Sequence, residues 1–187
     1  MNYIIEQDLS FDYQLLANQY QTIKNYASAR GDVNHINLKK PHHLSDNQGL
    51  TYGATSLYDY SVRRYTKFQH EYTDYISAFS DYDIINTIKQ VEKHALNHYN
   101  LAIGRVRLLT LPPKMCLTYH NDAESEVRFH IPIITNDNVF FIINGQAEQM
   151  KYKGSLYTLD VKQKHTAINA SRDNRVHLVL DGYKNES

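Results

Sequence analysis

Val139-Phe140-Phe141-Ile142-Ile143 runs directly into Asn144-Gly145 and on into Gln146–Tyr152. Two β-prone runs joined by Asn-Gly predict a β-hairpin, because both turn residues tolerate the positive φ that a type I′ turn demands. The flanking segments share this texture. Glu126–Ile134 alternates, with Val127, Phe129, Ile131 and Ile133 on one side and Arg128, His130 and Pro132 on the other. That is the period of a strand with two unlike faces. Ala102–Leu111 is apolar and stops at Pro112-Pro113, Ser155–Leu159 follows Gly154, and His165–Ala170 and Arg175–Asp181 complete the set. Seven or so short strands with no helix between them predict an antiparallel sandwich or barrel.

Before residue 100 the pattern changes. Apolar groups at Tyr13, Leu15, Leu16, Tyr20, Ile23 and Tyr26 predict a helix over 12–28, capped by Asp12 or Ser10. The clearest helix is 81–99, with Ile84, Ile85, Ile88, Val91, Ala95 and Leu96 as its buried stripe and Asp81 or Asp83 as N-cap. A third helix is expected within 61–79, an extended piece at 50–57, and a loop over 31–50. The chain therefore reads as one domain over 1–187, mainly β with a helical N-terminal half. Residues 1–100, helical and loop-rich, pack on a β-barrel over 101–183.

With 187 residues, 42% of them hydrophobic, the chain can bury a core. Twenty basic residues balance twenty acidic ones. Zero net charge argues against a nucleic-acid backbone or an anionic membrane as the main partner. A single cysteine, Cys116, excludes an intrachain disulfide and any CxxC zinc site, and is expected to be a buried structural thiol. The N-terminus shows no signal-peptide pattern, and no apolar run approaches the roughly 20 residues that span a bilayer. A cytoplasmic protein is the expectation.

The chemistry centres on Tyr119-His120-Asn121-Asp122. A His and an Asp two apart on extended chain project to one side, within reach of one metal ion. His165, opening a β-prone run, is the best third ligand. Two histidines and one carboxylate make a facial triad, which holds Fe(II) and leaves positions open. Alone, His-x-Asp is a weak signal, and two polar loop residues would be its ordinary reading. Arg175 strengthens it. It starts the otherwise apolar strand Val176-His177-Leu178-Val179-Leu180, where a guanidinium could clamp a carboxylate. A strand-end Arg paired with Asp173 or Asp181 is the plainer alternative.

From Gly104 to Tyr183 the sequence resembles the aspartyl/asparaginyl β-hydroxylase-like branch of the Fe(II)/2-oxoglutarate-dependent dioxygenases, which includes the L-proline cis-4-hydroxylase-like enzymes. The resemblance rests on Leu111-Pro112-Pro113, His120-Asn121-Asp122, Arg128–Asn136, Gly154-Ser155-Leu156-Tyr157, His165–Asn169 and Arg175–Asp181, in that order. It implies a double-stranded β-helix, or jelly roll. It implies Fe(II) held by His120, Asp122 and His165, with Arg175 on the distal carboxylate of 2-oxoglutarate. It places Arg128 and His130 toward co-substrate or substrate. The implied reaction consumes O2 and 2-oxoglutarate, releases succinate and CO2, and hydroxylates a C–H bond of an amino acid or of a peptide or protein residue. Tyr157 stands where members often carry Trp, and residues 1–100 match nothing in the resemblance.

Two rival readings belong to other classes. A non-catalytic jelly-roll binding protein would have no use for the triad combined with Arg175. A nucleic-acid-modifying dioxygenase is disfavoured by zero net charge and the absence of a basic stripe. His94 and His98 are four apart on a helix but lack the Glu of HExxH, and read as partly exposed surface.

Overall fold

A computed structural model describes residues 3–30, 34–52, 58–59, 64–65, 69–122 and 125–184. In chain order the elements begin β1 (Ile4–Ser10), α1 (Tyr13–Ser28), β2 (His35–Asn37), β3 (Lys39–Pro41), α2 (Asp46–Gly49), β4 (Tyr58–Asp59), β5 (Arg64–Tyr65) and β6 (Tyr72–Tyr75). Then follow α3 (Asp83–Tyr99), β7 (Leu101–Leu111), β8 (Met115–Cys116), β9 (Val127–Ile134), β10 (Val139–Ile143), β11 (Gln146–Glu148), β12 (Ser155–Leu159), β13 (His165–Asn169) and β14 (Arg175–Lys184). A six-stranded sheet runs β1-β12-β9-β14-β7-β2 and a four-stranded sheet runs β11-β10-β13-β8. This is the antiparallel jelly roll expected from the sequence.

The major sheet has two unlike faces, as the alternation along β9 predicts. Phe129, Ile131 and Ile133 join Leu16, Tyr20 and Ile23 of α1 and Ile84, Ile88 and Val91 of α3 in one buried cluster. Each such side chain, fully withdrawn from water, stabilises the fold by about 2 kcal/mol. The opposite face looks across to the minor sheet. There Leu111, Tyr157 and Leu159 pack with Phe141, Ile143 and Ala167. The hairpin forms as read: Asn144 and Gly145 have φ of 51° and 82°, and β10 and β11 pair across them.

Asp12 caps α1, its carboxylate accepting from the Gln14 and Leu15 amides. The N-cap position of α3 is Tyr82, not Asp81 or Asp83, and it offers no side-chain bond. Gln19 of α1 supplies the cap instead: its Oε1 accepts from the Ile84 amide at 2.8 Å and its Nε2 donates to Asp83 at 2.9 Å. The two helices are thus locked to each other where α3 begins.

The N-terminal half is less helical than expected. β1 extends the major sheet beside β12, and β2 extends it beside β7. The expected helix within 61–79 fails over its described part, which is a 3₁₀ turn at Gln69–Glu71, strand β6 and a second 3₁₀ turn at Ser77–Phe79. Tyr72, Ile76 and Phe79 are all buried, so the residues at helical spacing do face the core, but on a different backbone. The rest of 61–68 apart from 64–65, and residues 53–57 of the expected extended piece, lie outside the described residues. Cys116 is exposed on an edge strand, not buried. Among the described residues no helix is long and apolar enough to cross a membrane.

Candidate metal centre

Segment 117–122 links β8 toward β9 and lies against the start of β13. His120 and His165 sit opposite each other, the His120 amide donating to the His165 carbonyl at 3.0 Å and the His165 amide to the His120 carbonyl at 2.6 Å. The Asp122 amide donates to the Val161 carbonyl at 2.9 Å, which fixes the chain two residues on. The three side chains then converge: one potential ligand atom from each lies within 4.8 Å of the others.

The histidines are oriented for this. Nδ1 of His120 bonds the Thr118 carbonyl at 2.5 Å, and Nδ1 of His165 bonds the Gln163 carbonyl at 2.9 Å. A carbonyl oxygen only accepts, so each Nδ1 carries the hydrogen and each Nε2 presents a lone pair. Those Nε2 atoms lie 3.6 and 3.7 Å from the Asp122 carboxylate oxygens. Burial lowers the His165 pKa, keeping the ring neutral. Two imidazoles with committed Nδ1 atoms and one carboxylate fit a divalent transition metal.

Asp122 is tied to the barrel through Arg128, whose Nη1 lies 2.6 Å from Asp122 Oδ2. The Nε of Arg128 lies 2.6 Å from Asp181 Oδ1. Glu126, close by in sequence, pairs with Lys162 instead. Asp181 is fully buried, and its Oδ2 also receives Arg105 Nε at 3.2 Å and Arg107 Nη2 at 3.0 Å. Burial alone would raise the Asp181 pKa, but Arg128, Arg107 and Arg105 hold it far below the usual carboxylate range. Burial likewise lowers the Arg128 pKa, and the Asp181 and Asp122 charges more than reverse this.

Arg175 lies at the other end of β14 with different surroundings. It is buried, its guanidinium 5.0 Å from the Phe141 ring centroid. Its Nη2 donates to His177 Nδ1 at 2.8 Å, and its Nε is buried without a partner among the described residues. Among the described residues no carboxylate lies within ion-pair distance of it, so neither Asp173 nor Asp181 is its partner. Burial pushes its pKa down to about 9, still charged at neutrality. His130 Nδ1 lies 3.4 Å from His177 Nδ1, and the Nε2 atoms of both rings are buried without partners. Burial, then the Arg175 charge, lowers both pKa values well below the ordinary value, so both rings are neutral.

All six residues singled out in sequence thus occur around the interior of the barrel. His177, Asp181, Arg105 and Arg107 were not singled out, although alternation held the signal. Arg175, His177, Val179 and Asp181 share one face of β14, and two arginines in the apolar strand Gly104–Leu111 require a buried acid. His94 and His98 stack with ring centroids 4.4 Å apart on the surface of α3, and among the described residues they belong to no group of three potential metal ligands.

A family model described as Aspartyl/Asparaginyl beta-hydroxylase matches residues 17–185. No curated protein matches the chain. Among solved structures, the viral collagen prolyl hydroxylase vCPH from Paramecium Bursaria Chlorella virus-1, in its 2OG complex, aligns with a TM-score of 0.59 at 7% identity. It covers 99% of this chain and 97% of that one. The non-heme monooxygenase ThoJ, as its Ni complex, aligns with a TM-score of 0.56 at 11% identity, covering 98% of this chain and 74% of its own. Both likenesses concern the fold.

Proposed function

The chain belongs to the aspartyl/asparaginyl β-hydroxylase family, and from that premise we propose that it is an Fe(II)- and 2-oxoglutarate-dependent dioxygenase. It hydroxylates a C–H bond of an amino acid or of a peptide or protein residue. The observation that carries this reading is the convergence of His120, Asp122 and His165 within 4.8 Å, both imidazoles presenting Nε2. In the proposal these three hold Fe(II).

The bound metal supplies the redox chemistry, in which O2 and 2-oxoglutarate are consumed, succinate and CO2 released, and a hydroxyl delivered to the substrate. The protein's own work is orientation and exclusion of water. The Thr118 and Gln163 carbonyls keep the two rings from turning. Arg175, a buried cation lacking a carboxylate, takes the distal carboxylate of 2-oxoglutarate, and Phe141 shields that contact from water. The unpartnered Nε2 atoms of His130 and His177 offer further hydrogen bonds in the same interior. Arg128 holds Asp122 in place from behind. Residues 1–187 act as one dioxygenase domain, the first hundred shaping substrate access. The exposed free thiol of Cys116 fits a reducing, cytoplasmic setting.

The test is an anaerobic titration of metal-free protein with Fe(II), then 2-oxoglutarate, following the visible charge-transfer band of the chelate. The band is expected in the native protein and absent in Asp122→Ala and His165→Ala. Folded, iron-supplied native protein without the band would overturn the proposal in favour of a jelly-roll binding protein.

A further inference from the structure

Asn37 on β2 and Arg107 on β7 are directly opposite in register. Cross-strand partners of this kind share a face, their Cβ atoms about 5 Å apart. The face is the barrel interior, since their neighbours Ile36 and Leu108 belong to the helix-side core. Both side chains are buried, at 1% and 5% exposure. Each keeps one buried polar atom without a partner among the described residues: Oδ1 of Asn37, an acceptor, and Nε of Arg107, a donor.

Asn37 Nδ2 and Arg107 Nη2 are committed elsewhere. Asn37 Nδ2 donates to the Gly49 carbonyl at 2.7 Å and the Tyr52 carbonyl at 2.8 Å. That fixes the amide orientation and leaves Oδ1 facing away from those carbonyls. Arg107 Nη2 lies on Asp181 Oδ2, an oxygen shared with Arg105. Asp181 is therefore one carboxylate spread over three guanidinium groups, and its other oxygen belongs to Arg128. A buried guanidinium edge with only a share in a carboxylate is costly unless an anion completes it. The low Arg107 pKa, about 9, has burial as its chief cause, with Arg105 second. The pair is linked to the metal centre through Asp181 and Arg128, along Arg107–Asp181–Arg128–Asp122.

A cationic donor and a neutral acceptor on directly opposed residues match one common chemical group, the carboxylate and ammonium of a free α-amino acid. We propose that Arg107 and Asn37 form the substrate-recognition pair of this barrel, Arg107 Nε holding the carboxylate and Asn37 Oδ1 the ammonium of a free α-amino acid. This rests on the dioxygenase reading above and narrows its substrate class. Residues inside a peptide chain have neither group, so the pair selects against them. Tyr72 is buried beside Arg105 and Arg107, and that burial raises its pKa to about 12.

The experiment measures the melting temperature of anaerobic protein loaded with Fe(II) and 2-oxoglutarate, where no turnover occurs. The probes are the twenty free L-amino acids, their α-carboxamides and their N-acetyl derivatives. At least one free amino acid is expected to raise the melting temperature. Its amide and its N-acetyl derivative should each bind about tenfold more weakly or worse, the usual effect of losing one charge-assisted hydrogen bond. Arg107→Met, with cooperative unfolding verified, should lose that response, and Arg107→Lys should keep part of it.

Three results would overturn the assignment: derivatives binding as well as the free amino acid, an Arg107→Met protein with undiminished response, or no free amino acid stabilising a protein that 2-oxoglutarate does stabilise. The first and third need no variant, so misfolding cannot hide them. If Asp and Glu amides alone bind, the carboxylate being read is an acidic side chain and the amino-acid assignment fails. If 2-oxoglutarate itself leaves the native protein unstabilised, the failure lies in the dioxygenase reading.

Discussion

The two ends of β14 carry opposite solutions to one problem. At one end a carboxylate, Asp181, is fully buried and surrounded by Arg105, Arg107 and Arg128. At the other end Arg175 is just as buried and has a histidine and an aromatic ring for company. Both side chains project from one face of one strand, six residues apart. A buried charge is tolerable when paired and expensive when not. The Asp181 carboxylate therefore belongs to the architecture of the folded protein. The Arg175 end has no carboxylate among the described residues, and in the proposed function 2-oxoglutarate supplies it.

The harshest way to break this comparison is Asp181→Asn. It leaves three buried guanidinium groups around a neutral amide, and loss of one partner from a buried ion pair costs about 3–5 kcal/mol. We expect most of the folding stability to be lost, as read by urea unfolding. The mirror-image variant, Arg175→Met, removes a buried charge that has no counter-charge, so stability should stay level or rise. Affinity for 2-oxoglutarate should instead fall about 100-fold, near the upper range for hydrogen bonds to a charged group. A calorimetric titration of the anaerobic iron-loaded protein reads this. If Arg175→Met unfolds the protein as Asp181→Asn does, the two ends are not different in kind.

How much of this was legible in sequence differs between the same two ends. Arg175 stood out because it opens an apolar strand ten residues after His165. Asp181 was visible only as a possible partner for Arg175. Its real partners come from β7 and β9, and strand pairing across a sheet is not written in local pattern. The barrel strands were readable because alternation and the Asn-Gly turn are local signals. β1 was missed because only Ile4 of Ile4–Ser10 is buried, so the strand carries no clear period. The segment after residue 69 was misread for the opposite reason. Tyr72, Ile76 and Phe79 sit at helical spacing, but β-prone tyrosines and pairing with β3 gave a strand instead. His120, Asp122 and His165 were singled out from residue type and order, and the structure brings them within 4.8 Å of one another. The carbonyl anchors that orient the two rings depend on backbone geometry and left no trace in the sequence.

Acid should weaken the two ends in separate windows. His130 and His177 have folded pKa values well below the ordinary one, so the unfolded chain binds more protons once pH falls below about 6.5. Stability is then lost as pH falls, by up to about 1.4 kcal/mol per pH unit for each histidine that stays neutral. The Asp181 contribution, its folded pKa being depressed, is fully present above the unfolded value near 3.9 and is lost only as pH falls further. Urea midpoints between pH 8 and 3 should show the histidine slope first. A single transition near pH 4, with no slope above it, would mean that the Arg175 end is already charged and solvated.

The smallest effect isolates what His177 does for Arg175. His177 Nδ1 accepts from Arg175 Nη2, which sets the guanidinium plane and leaves Nε free for a ligand. His177→Leu removes that acceptor while keeping volume and burial. Deleting the unpartnered Nε2 costs nothing, but the Arg175 Nη2 left without its acceptor should lower stability by about 1–3 kcal/mol. Affinity for 2-oxoglutarate should fall about tenfold, because the guanidinium must be oriented at the moment of binding instead of beforehand. His177→Asn can place Oδ1 near the former Nδ1 and should recover part of the loss. The acid slope separates this from general damage: His177→Leu should remove its share of the stability lost below pH 6.5, while His177→Asn, equally unable to titrate, loses the slope but regains affinity. If both variants bind 2-oxoglutarate as the native protein does, Arg175 is oriented by its packing on Phe141 alone, and the difference between the two ends of β14 reduces to one missing carboxylate.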